Sequence, residues 1–118
     1  MRFLTLVSSP PNQGMPPESL WAEVERRAQV AESKHQLVTR GGLKPNMKAY
    51  RVGGGALSVT DGPFTESKEV VGGFAIVEFP TREDALRDAK EFAEMHRQLW
   101  PEGQVTLTVH ELFDPDGE

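Results

Sequence analysis

The chain has 118 residues, 37% of them hydrophobic and 26% charged, a composition that suits one globular domain and excludes both a disordered polymer and a membrane-embedded bundle. The net charge is −5, but Glu111, Asp114, Asp116 and Glu118 crowd the last eight residues and leave the first 110 at −1, so neither part offers the basic footprint of a nucleic-acid binder. With no cysteine, disulfides, thiolate metal sites and thiol nucleophiles are excluded, and a reducing cytoplasm is the expected setting.

Residues 2–7 are rich in apolar and β-branched residues and are stopped by Ser8-Ser9-Pro10-Pro11, which predicts a strand rather than the longer apolar core of a signal peptide. Met15-Pro16-Pro17-Glu18 reads as a helix entry with proline in the first turn. Leu20, Val24, Ala28 and Ala31 then form a helical stripe with Trp21 beside it, running to Lys34. His35 falls where the helix dipole favours a cation, so its expected role is capping. Residues 36–39 are a short strand candidate broken at Gly41-Gly42, and residues 47–52 and 56–60 flank Gly53-Gly54-Gly55 as a hairpin. Those glycines precede no helix and no Lys-Ser/Thr, so a phosphate loop is not expected.

Phe74-Ala75-Ile76-Val77 is the longest wholly apolar run, far short of the ~20 residues that span a bilayer, and predicts a strand covered on both faces. Thr81 is placed to cap a second helix, with Asp84 answering as a capping-box acid. Ala85, Ala89, Phe92, His96 and Leu99 line one face of that helix, and Pro101 ends it. Residues 105–112 alternate, with Val105, Leu107 and Val109 on one face and Thr106, Thr108 and His110 on the other. The order expected is β-α-β-β-β-α-β, one strand more than the basic ferredoxin-like pattern. The fold expected is α+β: a mostly antiparallel sheet with two helices on one face, one domain over 1–113, and an acidic tail over 114–118 that is dispensable for folding.

The three histidines lack metal-site spacing, and no serine sits in a G-x-S-x-G elbow. His96 falls on an apolar stripe, where a packed, hydrogen-bonded ring is expected, while Trp21, Phe92 and Trp100 read as core or interface. The richest segment is Thr60-Asp61-Gly62-Pro63-Phe64-Thr65-Glu66-Ser67-Lys68-Glu69. Asp61 can bond the backbone ahead of it, Gly62 permits a left-handed conformation and Pro63 fixes φ. The bland reading is a rigid turn with solvated charges; the functional one holds Asp61 over a pocket.

Asp61-Gly62-Pro63-Phe64, with Glu66, Lys68-Glu69 and Gly72-Gly73-Phe74 behind it, resembles the signature of the DGPF family, the YCII-related proteins. Gly42-Leu43-Lys44-Pro45, the Phe-Ala-Ile-Val strand and Glu83-Asp84-Ala85-Leu86 extend the resemblance over almost the whole chain. It implies a dimeric α+β barrel and no settled activity. Some relatives pair the signature aspartate with a histidine inside the first helix, but that place falls near Val24 here; where the final strand often carries arginine, this chain has His110.

The expected function is small-molecule binding in a pocket between sheet and helices, as a cofactor-free enzyme or a binding protein. Asp61 would serve as base or anchor and Arg51 or His110 as its counter-charge, with Phe64, Glu66 and Lys68 as further ligand contacts and no metal or cofactor. That pocket chemistry comes by analogy of fold. The alternative, implied by the resemblance, is a regulatory or interaction module near extracytoplasmic-function sigma factors. A third reading is a structural homodimer with a dry interior.

Overall fold

Helix periodicity and strand alternation carry the chain into a ferredoxin-like α+β fold, seen in a computed structural model that describes residues 1–62 and 69–114. The elements are β1 (Arg2–Ser9), α1 (Glu18–Ser33), β2 (Leu37–Gly42), β3 (Lys48–Gly53), β4 (Ala56–Asp61), β5 (Val70–Glu78), α2 (Arg82–Leu99) and β6 (Thr106–Glu111). The main sheet has the order β2-β5-β1-β6 with every pair antiparallel, and β3-β4 form a separate two-stranded ribbon. Four strands therefore lie between the helices, not three. Of the tail expected at 114–118, residues 115–118 lie outside the described residues.

The extra strand is β2, which runs through Gly41-Gly42 instead of breaking there. Gly41 pairs with Phe74, and a Cβ on it would stand 2.8 Å from Phe74 Cε1. The glycine is therefore room for a ring, not a stop signal. In the ribbon, Gly54 and Gly55 take φ of 56° and 79°, the two left-handed residues of a type I′ turn.

Pro17 precedes α1, and its carbonyl accepts from Leu20 N–H at 3.0 Å. The helix closes in a Schellman motif: Gln36 N–H donates to Ala31 O at 2.8 Å and His35 N–H to Glu32 O at 3.0 Å. His35 occupies the left-handed position, φ 57°, where glycine is usual, so it caps through its backbone rather than its charge. At α2, Thr81 Oγ1 accepts from Asp84 N–H at 3.1 Å as expected, but the Asp84 carboxylate turns to Arg87 at 2.9 Å, leaving half a capping box.

Phe3, Phe79 and Ala85 form the core, with Val77 and Val109 packed against them; Leu20 and Met95 are the other buried hydrophobic side chains among the described residues. The register sets the two faces of the sheet. Phe3, Thr5 and Val7 share a face with Val77, Ala75 and Gly73, beneath the helices. Leu4, Leu6, Ile76, Phe74, Thr108 and His110 share the opposite, open face. The strand at 74–77 is thus apolar on both sides, but within the chain the helices cover only one of them, where cover on both was expected.

Candidate functional site

Between the two helices and the sheet lies a cleft of 840 Å³, within the range of small-molecule sites. The spacing of α2 puts Ala85, Asp88, Ala89, Phe92 and His96 on its wall, and α1 contributes Trp21, Val24, Arg27 and Ala28. Trp100, where α2 ends, closes one side. Both tryptophans of the chain therefore belong to this cleft.

Polar groups join the two helices. Arg27 Nη2 donates to Asp88 Oδ1 at 3.1 Å and to the Asp88 carbonyl at 3.4 Å, while the guanidinium carbon stands 5.7 Å from the centre of the Phe92 ring. Burial pushes the Asp88 carboxyl above its ordinary value of 3.8, more strongly than Arg27 lowers it; Glu91 adds to the rise and Lys34 opposes it. His96 is half-buried, its Nδ1 2.8 Å from the Phe92 carbonyl, which confirms a packed and hydrogen-bonded ring. At the β2 rim Arg40 makes a two-pronged ion pair with Glu25, at 2.8 and 2.9 Å.

The rise at Asp88 has a consequence for stability. The folded protein keeps this proton to higher pH than the unfolded chain does, so the contribution is fully present below 3.8 and is lost as pH rises through the raised value. In Asp88→Asn that loss is absent. Denaturant midpoints measured between about pH 3 and pH 6 should therefore shift in favour of the variant, relative to the parent, with increasing pH, then level off.

The candidates read from the sequence lie elsewhere. Asp61 ends β4 with its side chain 80% exposed, 3.6 Å from Lys48 across the ribbon, and it does not line the cleft. Arg51 pairs with Ser58, and strand alternation puts it on the ribbon face opposite Asp61. Gly62 does not adopt a left-handed φ; its N–H donates to Met47 O at 2.7 Å, and a Cβ there would stand 2.4 Å from Met47 Cγ, so close approach explains the glycine. His110 stands on the open sheet face, Nε2 3.1 Å from Thr108 Oγ1. No hydrogen bond or ion pair joins Asp61 to His110 among the described residues. Phe64, Glu66 and Lys68 lie outside the described residues.

Arg27 and Asp88 escaped the sequence reading, although a signal existed: each places a charge beside the apolar stripe of its helix. Their pairing across 61 positions is a tertiary fact that no local pattern carries. Among the described residues no group of three or more histidines and carboxylates is gathered as for a metal ion, and no helix is long and apolar enough to cross a membrane.

Among solved structures, the chain is similar to a 5-chloro-2-hydroxyhydroquinone dehydrochlorinase from Burkholderia phenoliruptrix, in complex with 2,5-dihydroxybenzoquinone, at 15% identity and a TM-score of 0.39 with all of both chains covered. No curated protein matches it. The model of the YCII-related domain matches residues 1–106, nine-tenths of the chain, and the protein belongs to the YCII-related family.

Proposed function

We propose that this protein binds a small molecule in the cleft between its helices and its sheet, and that it works as a homodimer with the open sheet faces turned together. The cleft carries the first part: 840 Å³ walled by aromatic and aliphatic side chains interspersed with polar and charged ones. Surface and shape support the second. The accessible surface is 8587 Å², against about 6,400 Å² for a compact monomer of this mass. The radius of gyration is 16.3 Å against about 13.5 Å. The excess exceeds the roughly 800 Å² that each partner buries in a standard interface.

Native mass spectrometry of gently purified protein is expected to show an added small mass that is absent after denaturation and absent in Ala89→Trp, which fills the cleft. An identical apo mass in both proteins would count against the cleft. Light scattering should give twice the chain mass of 13.1 kDa at micromolar concentration; a monomer there removes the dimer.

Catalytic roles for Asp61 and His110 belong to that dimer, because His110 lies on the face it covers. Asp61 shares its ribbon face with Tyr50, Val52, Leu57 and Val59, all more than half exposed and in need of cover. Asp61→Asn is expected to change stability by no more than about 1 kcal/mol, the scale of an exposed ion pair. Loss of the co-purifying mass, or of turnover, in that well-folded variant would mark the carboxylate as functional; unchanged binding and turnover would leave it a turn residue. A regulatory module near extracytoplasmic-function sigma factors would instead leave the cleft empty.

A further inference from the structure

Nδ1 of His96 faces the Phe92 carbonyl at 2.8 Å. A carbonyl has no proton to give, so Nδ1 carries the hydrogen and donates it. In the neutral ring Nε2 is then a bare lone pair. It has no hydrogen-bond partner among the described residues, yet the ring is half-buried at the cleft wall, tilted 54° to the Phe92 ring with centroids 4.7 Å apart. The tether to the helix carbonyl holds the ring among the residues that line the cleft.

Two of the cations that line the cleft are engaged. Arg27 holds both the Asp88 carboxylate and its carbonyl, and Arg40 holds Glu25. Trp21, Phe92 and Trp100 line the same cleft and favour a flat ring against their faces. We propose that Nε2 of His96 is the ligand-binding acceptor of the cleft, and that the molecule it takes is a ring compound carrying an O–H or N–H donor. This rests on the cleft being a ligand site.

Two probes of one shape separate the proposals: 3-nitrophenol, which donates, and 3-nitroanisole, in which a methyl group replaces that proton. Nitro compounds quench tryptophan, and both tryptophans line the cleft. Saturable quenching by both probes is expected, with the phenol binding about 3- to 10-fold tighter, the scale of one hydrogen bond. His96→Asn can keep the donor to Phe92 O but has no acceptor at the Nε2 position, so it should bind both probes alike. His96→Gln, whose amide reaches the Nε2 position, should restore part of the preference. In the unsubstituted protein, the Nε2 nitrogen resonance of His96 should move with the phenol and not with the anisole, a readout that needs no variant. Equal binding of the two probes, or a preference that survives in His96→Asn, overturns the acceptor role and leaves the cleft standing. Failure of both probes to bind removes both proposals.

Discussion

Phe3→Ala is expected to destabilise the protein by about 3–5 kcal/mol, enough to populate the unfolded chain at room temperature. Phe3 is 0% exposed and sits where β1 meets Phe79 and Ala85, with Val77 and Val109 packed around them. The loss combines transfer of the ring to water with the cavity left behind, and a core this small has few side chains to collapse into it. Denaturant midpoints measure the change, with Phe113→Ala as control: that ring is 92% exposed and its removal should cost no more than about 0.5 kcal/mol. Equal effects of the two substitutions would place the core elsewhere.

Gly103→Ala should be the next most damaging change. An added Cβ would stand 2.2 Å from Cδ2 and 2.3 Å from Cε3 of Trp100, inside any permissible contact. The backbone cannot simply open the gap, because Trp100 N–H donates to His96 O at 2.9 Å and Trp100 O accepts from Gly103 N–H at 3.0 Å, so the indole must leave its rotamer. Overpacking of this kind costs about 1–3 kcal/mol. Because Trp100 walls the cleft, the variant should show both a lower denaturant midpoint and altered tryptophan emission. A variant with unchanged emission would mean that the ring is not held as described.

What could be read in advance was local. Thr81 as a cap and the alternation through Thr106–Glu111 depend only on neighbours a few positions away, and the structure has both. Gly41-Gly42 misled because a glycine pair reads as a break, while Gly41 makes room for the Phe74 ring more than thirty residues on. His35 looked like a charged cap and proves to be a backbone one, since a φ of 57° leaves no trace in a residue's name. The Asp61-Gly62-Pro63-Phe64 signature identified the family, yet family membership does not say what faces Asp61. Its surroundings depend on how the ribbon meets another surface, and a single strand pattern does not contain that. The cleft was anticipated as a space between sheet and helices, but its charged pair arises from helix packing, which joins Arg27 of α1 to Asp88 of α2.

The position of β1 also sets the order in which the chain can fold. It is an inner strand of the sheet, yet its partners are β5 and β6, so Phe3 must find Val77 on one side and Glu111 on the other. Helix α1 and the β3-β4 ribbon close from nearby residues, whereas the sheet's centre waits for nearly the entire polypeptide. Such distant pairings slow folding toward the millisecond-to-second range. During synthesis the first strand emerges with Leu4 and Leu6 and two unpaired edges, an aggregation hazard until β5 and β6 have followed it.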